Sequence, residues 1–167
     1  MIFSNIKAKN NNYLVSRYQT TAQIAGCIVR AIDESQETAQ KINKYFKNSN
    51  PIKSAKLIFY FCKNTIPYTK EGGEEQSVKT LARMLQDCKK ANAKFDCKHY
   101  SVLTASLLKS LGIKCKLRLI SQKPYTKQPN HIYTIAIING KEYIVDAVIK
   151  NFNDEARYNY KYDINLN

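Results

Sequence analysis

A chain of 167 residues is long enough to bury a real hydrophobic core within one domain. Its 27 Lys+Arg against 13 Asp+Glu leave a net charge of +14, which favours acidic partners. The basic residues are scattered, with no block of five or six and no arginine-rich arm, and charge alone specifies no groove or base reader, so nucleic acid is not expected to be the main ligand.

The first residues, "MIFSNIKAKNNN", hold no apolar segment followed by a small-residue cleavage site, and no signal peptide is expected. Residues 1–20 are polar and asparagine-rich, an arm or a short strand. From Thr21 to Phe46 apolar residues recur at helical spacing (Ile24, Ile28, Ile32, Ala39, Ile42, Phe46), with a break expected near Asp33-Glu34-Ser35. Ser49-Asn50-Pro51 reads as a stop and a restart with proline in the first turn, opening a helix to about Asn64 that buries Ile52, Ala55, Ile58, Phe59 and Cys62. The most hydrophobic stretch, "LIFYFC" within this helix, is far too short to cross a membrane. Without a span or a leader, the protein is expected in the cytoplasm, or to leave a cell by lysis or inside an assembly.

"NTIPYTKEGGEEQ" is a loop marked by Pro67 and Gly72-Gly73. A helix from about Gln76 to Lys90 is expected next, with Val78, Leu81, Met84, Leu85 and Cys88 on one side. Asp96 is a good N-cap for a helix that runs to Leu111 and stops at Gly112. That helix is apolar around much of its girth, so it should be central. The period then changes to two: "KCKLRLIS" alternates as a strand with one buried face. "SQKPYTKQPN" has the length of a lid or binding loop. "HIYTIAII-NG-KEYIVDAV" is a hairpin closed by Asn-Gly, the preferred type I′ turn. Residues 150–167 read as a polar, tyrosine-rich tail. The expected organisation is an arm (1–20), one domain (21–149, core 52–148) and a tail (150–167).

The five cysteines, at 27, 62, 88, 97 and 115, include no C-x-x-C pair, and there are two histidines. No metal site and no cofactor are expected. Four of the five cysteines sit at apolar spacing, where a reduced cysteine behaves as a small hydrophobe. Cys97 differs, because it stands in the first turn of a helix, where the positive end of the macrodipole favours thiolate.

The two-residue turn sets the hairpin register: Ile138 with Lys141, Ile135 with Ile144, Tyr133 with Asp146, His131 with Val148. His131, Tyr133 and Ile135 then share a face with Asp146 and Ile144, and His131 and Asp146 are diagonal neighbours within reach of a hydrogen bond. The central helix is expected to cover that face. Cys97, His131 and Asp146 would supply a nucleophile, a proton carrier and a group that orients the imidazole. His99, two residues along the helix from Cys97, is read as a first-turn surface or edge residue.

"DCKHYSVLTASLLKSLGIKCKLRLIS" followed by "HIYTIAIINGKEYIVDA" resembles the core of the transglutaminase-like superfamily, over roughly residues 52 to 148. The resemblance implies an α+β, papain-like fold, with N-terminal helices and a central cysteine-bearing helix packed on a small antiparallel sheet. It implies a catalytic triad of Cys97, His131 and Asp146. The residue before Asp-Cys is Phe95 where the family usually has glycine, which would narrow the approach to the thiol. Lys98 and His99 replace acidic residues common after the cysteine. The sequence holds no tryptophan, so the indole that assists the oxyanion in transglutaminases is missing, which favours hydrolysis of an amide over cross-linking. The oxyanion would be held by the Cys97 N–H and a second donor, for which Tyr68 and Tyr100 are candidates.

Two functions follow. One is a cysteine peptidase or amidase that forms a thioester at Cys97 and acts on a peptide or protein amide, with an acidic substrate favoured by the lysine-rich surface. The other is a structural or interaction subunit of a tailed-bacteriophage virion, with protein partners in that assembly, keeping the fold without the chemistry; short proteins resembling this one occur among such structural genes.

Overall fold

The computed structural model of the chain describes residues 6, 12–15, 21–71 and 76–166. The remainder of the expected arm lies outside the described residues. The N-terminal helical stretch divides where expected, into α1 (Thr21–Glu34) and α2 (Gln36–Ile42). Ser35 makes the break. Its hydroxyl donates to the Ala31 carbonyl (2.5 Å) and accepts from the Leu81 N–H (2.8 Å), so a buried serine links the helix junction to a segment far along the chain. α3 (Pro51–Thr65) starts on Asn50, whose side-chain oxygen accepts from the Ile52 N–H, with Pro51 in the first turn.

The helix expected over Gln76–Lys90 is a strand and a short helix: β2 (Gln76–Lys79) and α4 (Leu81–Asp87), divided at Thr80, whose hydroxyl caps α4. Val78, Leu81, Met84 and Leu85 are buried as their spacing requires. The first turn is extended because β1 (Asn12–Val15) pairs with it antiparallel, Tyr13 opposite Val78. A strand this short takes its conformation from its partner.

α5 (Cys97–Ser110) is the central element, and it packs against helices and sheet alike. Gly112, at φ +72, ends it, with the Ile113 N–H returning to the Leu108 carbonyl. β3 (Lys114–Ser121), β4 (His131–Ile138) and β5 (Lys141–Val145) follow; Asn139 and Gly140 both have positive φ, as a type I′ turn demands. Ile138 pairs with Lys141 and Ile135 with Ile144, and the ladder ends at Thr134–Val145.

The expected tail departs from its reading. Tyr160–Leu166 forms β6, antiparallel to β3, giving the all-antiparallel order β5-β4-β3-β6. Arg118, which alternates with the apolar residues of β3, is almost fully buried: it forms a two-pronged pair with Asp163 of β6 and reaches Glu142 and Glu155. The helix also packs on the other face of the hairpin. Thr104 Oγ1 meets Thr134 Oγ1 at 2.8 Å and Ser101 bonds the Ile132 carbonyl, so α5 covers the Ile132–Thr134–Ala136 side. Tyr133, Ile135 and Ile144 join Ile120 in a separate cluster roofed by Ala156 and Tyr158. The segment read as tail thus supplies a second layer.

Candidate active site

The nucleophile candidate is set by its helix cap. Asp96 is extended (φ −120°, ψ −166°) and its carboxylate accepts from the Lys98 N–H, leaving Cys97 as the first helical residue, partly exposed. His99 completes the cap from the third helical position, with Nδ1 3.2 Å from the Asp96 backbone N–H and 3.1 Å from its Oδ1. The surface reading of His99 is therefore wrong. The ring is wholly buried, burial lowers its pKa, and among the described residues its Nε2 has no partner. An aspartate followed three residues later by a side chain able to take the backbone proton was the signal available in the sequence.

Phe95 does not cover the thiol. Its ring is buried in the core, edge-on to His99 (5.7 Å between centroids) and beneath the Lys79 ammonium (4.8 Å). The loop before the helix is strapped down twice. The Thr69 N–H bonds the Phe95 carbonyl (2.8 Å), and the Tyr100 hydroxyl donates to the Ile66 carbonyl (2.6 Å). Tyr68 stands between these ties, edge-on to Tyr100, and lines the cleft that also holds Cys97. Burial first, then the charges at Cys97, Asp96 and Asp146, push the Tyr68 phenol up to about 12, so it remains a proton donor.

His131 and Asp146 meet as the register requires, with Nε2 2.7 Å from Oδ2. Asp146 stands just past the end of β5; its other oxygen accepts from the Val148 N–H (3.1 Å), which fixes the buried carboxylate. His131 opens β4, and the preceding residue is anchored by the Asn130 N–H on the Ile120 carbonyl. Although α5 covers the opposite face, its first turn reaches this end of the sheet: Ser101 Oγ donates to both the Cys97 carbonyl (2.9 Å) and the Ile132 carbonyl (3.2 Å). With Nε2 taken by Asp146, Nδ1 is the nitrogen left for the thiol. Burial opposes charge on the ring, but Asp146 and Cys97 outweigh it and raise the His131 pKa to about 10. The ring is an imidazolium at neutral pH.

A network that the sequence did not announce lies beside the cysteine. Lys98, 3% exposed, places its ammonium 2.9 Å from Glu71 and 2.5 Å from Asp96. Glu71 also accepts from the Ser77 N–H and hydroxyl. Ligand atoms of Glu71, Asp96 and His99 fall within 4.8 Å of one another, but the Lys98 ammonium already bridges the two carboxylates and supplies the positive charge there. Nothing in the residue pattern distinguishes this lysine from an exposed one.

Above these groups is a cleft of about 430 Å³, walled by Tyr68 and Lys70 on the strapped loop and by Gln122, Gln128 and Asn130 on the 122–130 connection. Tyr68 and Val148 also border a neighbouring cavity of about 550 Å³.

The sequence profile of the transglutaminase-like superfamily matches residues 36–147. No curated protein matches the chain in sequence. Among solved structures, a "putative protease" from Parabacteroides distasonis ATCC 8503 superposes with a TM-score of 0.52 at 13% identity, over 76% of this chain and 26% of that one. A "putative cysteine protease" from Cytophaga hutchinsonii gives a TM-score of 0.47 at 15% identity, over 81% of this chain and 48% of that one. This chain therefore spans about a quarter and about half of the lengths of those two proteins. The profile match, with the helix-on-sheet architecture, gives an α+β transglutaminase-like fold.

Proposed function

Because the chain belongs to the transglutaminase-like superfamily, we propose that it is a cysteine hydrolase, a peptidase or amidase, acting through Cys97, His131 and Asp146. One observation carries this reading. An imidazolium held by a buried carboxylate stands beside a partly exposed cysteine at a helix N-terminus, in an open cleft. Burial by itself drives a histidine neutral, as it does His99 here. A charged one next to a thiol favours the thiolate and enters the reaction already carrying the proton that the leaving group needs.

In the proposed reaction the Cys97 sulfur attacks the amide carbonyl carbon, and the electron pair of the C=O bond moves to oxygen. The Cys97 backbone N–H, unpaired within its helix by position, and the Tyr68 hydroxyl receive that oxyanion. Tyr100 is unsuited, because its hydroxyl is committed to the Ile66 carbonyl. Collapse breaks the C–N bond as His131 delivers its proton to the departing nitrogen, leaving a thioester. Neutral His131 then takes a proton from water, whose oxygen attacks the thioester. The acid and the thiolate leave, and the imidazolium is restored. Asp146 keeps Nε2 occupied throughout, so Nδ1 always faces the sulfur.

The test is alkylation by iodoacetamide near pH 6, mapped by mass spectrometry. Burial pushes the Cys62 and Cys115 thiols up, Cys115 to about 12, and also raises Cys88. Cys97 should react faster than the other four cysteines, and His131→Ala should abolish that excess. Slow, equal labelling of all five refutes the proposal.

A further inference from the structure

The net charge of +14 is not spread evenly over pairs and free groups. Every carboxylate among the described residues is engaged. Asp154 takes a hydrogen bond from Asn151, and the rest sit in ion pairs. The surplus is cationic and free, and part of it lies in, or next in sequence to, the segments that line the cleft. Lys70 lines the cleft and is exposed. In the 122–130 connection Lys123 follows the lining residue Gln122 and Lys127 precedes the lining residue Gln128, and both lysines are exposed. Ile149 and Ala156 line a further part, and each is followed by an exposed cation, Lys150 and Arg157. Among the described residues none of these five cations has an ion pair; Lys127 rests over the Tyr160 ring at 5.9 Å.

The segment that carries Lys123 and Lys127 is braced. The Gln122 N–H donates to Asn130 Oδ1 (2.8 Å), Asn130 Nδ2 to Gln122 Oε1 (3.2 Å), and Asn159 Nδ2 to the Gln122 carbonyl (3.3 Å). Inside the cleft His131 is matched by Asp146, while the single Lys98 ammonium faces two carboxylates, Glu71 and Asp96, a surplus of one negative charge. The free positive charge is at the rim. Fields of one sign focused by a cleft raise the local concentration of the opposite charge.

We infer that this site takes acidic polypeptide, with aspartate or glutamate side chains flanking the scissile amide and lying against the Lys70, Lys123, Lys127, Lys150 and Arg157 rim. The inference rests on the proposed hydrolase reading of the same cleft. Amide side chains along the wall suit an extended peptide backbone, and four of the five rim cations are lysines. Lysine meets a carboxylate as a point charge without the fixed fork that arginine offers to phosphate.

The experiment compares two covalent probes on the intact chain, acetyl-Glu-Glu-Glu-Gly chloromethyl ketone and its Gln-Gln-Gln-Gly counterpart, with iodoacetamide as the charge-free reference. At low salt the acidic probe should inactivate Cys97 about tenfold faster than the neutral one, the lower end of what focusing by a charged cleft delivers. That ratio should fall toward one at about 1 M salt, where the Debye length is about 3 Å, and in the Lys123→Glu/Lys127→Glu variant. Equal rates for the two peptides, with Cys97 still the cysteine that iodoacetamide prefers, overturn the acidic preference and leave the hydrolase reading standing. A Cys97 inert to all three reagents overturns both. Tight binding of a fluorescein-labelled oligouridine that the double variant loses, with no preference between the peptides, assigns the rim to nucleic acid and also overturns the inference.

Discussion

Replacing Asp146 by asparagine removes one charge and turns an amide NH2, in place of the accepting Oδ2, toward His131 Nε2. Asparagine retains the oxygen that accepts from the Val148 N–H and fills the same space, so the turn after β5 is preserved. What changes is the balance at His131. In the native protein burial lowers the ring's pKa, and Asp146 with Cys97 raises it past the ordinary 6.5 to about 10. At about 1.4 kcal/mol per pH unit, that corresponds to about 5 kcal/mol in favour of the imidazolium. A carboxylate in direct contact moves a neighbour's pKa by about 1–3 units, so Asp146→Asn should lower the His131 midpoint by that much and bring it toward neutrality.

The consequence for stability has a definite sign. The folded ring binds its proton more tightly than the unfolded one. Its contribution is fully present below pH 6.5 and is lost as pH rises through about 10. Urea unfolding from pH 6 to 10 should show the native protein losing stability across that window. The variant should lose less, and the difference at pH 6 should be about 1.4–4 kcal/mol. Subtracting the two curves cancels every other titrating group. The direct assay is NMR of the ring protons, simplified because the chain has two histidines and burial holds His99 neutral. A His131 resonance that titrates below pH 7 in the native protein, or one unmoved by Asp146→Asn, refutes the reasoning.

Ser35→Ala should cost about 1–3 kcal/mol in urea unfolding, because it leaves the buried Leu81 N–H without its acceptor. Lys98→Met should cost about 3–5 kcal/mol by stranding two buried carboxylates. In the native protein Asp96 is held near 2 and Glu71 is also lowered, so their stabilisation is lost only as pH falls below about 4; in the variant acid unfolding should begin at higher pH, and an unchanged acid transition would count against the network. Deleting residues 160–167 should abolish cooperative thermal unfolding or drive aggregation, since it bares the edge of β3 and strips Asp163 from Arg118; a soluble, cooperative truncation would show that β6 is dispensable.

What was legible in the sequence is what short-range chemistry decides. Asn-Gly dictated the hairpin and its register, Asn50-Pro51 and Asp96 started helices, and Gly112 ended one. Together these placed His131 against Asp146 and put Cys97 at a helix start. Misread features depended on partners far along the chain. Residues 76–79 carry helical apolar spacing, yet Val78 is extended because it lies opposite Tyr13. Tyr160–Leu166 looked like a tail because its strand alternation is written in tyrosine and aspartate, and the Arg118 that pairs with Asp163 lies far back along the chain. The helix was assigned to the wrong face for a related reason. Both faces of the hairpin carry buried residues, and only the Ala156–Tyr158 layer reveals why the Tyr133 face needs no helix.

Phe95 shows how a bulky residue can stand where glycine is usual without closing the site. The Lys79 ammonium donates to the Lys94 carbonyl (3.0 Å) and lies over the Phe95 ring, while the Phe95 carbonyl holds Thr69. The segment leading to Cys97 is thereby pinned from β2 on one side and from the 66–71 loop on the other, with the ring directed into the core. A side chain in that position adds buried apolar surface to the support of the N-cap, and a glycine would not. Asp96 depends on that support, because its carboxylate must serve the Lys98 N–H and the Lys98 ammonium at once. The substitution therefore moves bulk beneath the nucleophile rather than in front of it, and Cys97 keeps its opening to the cleft.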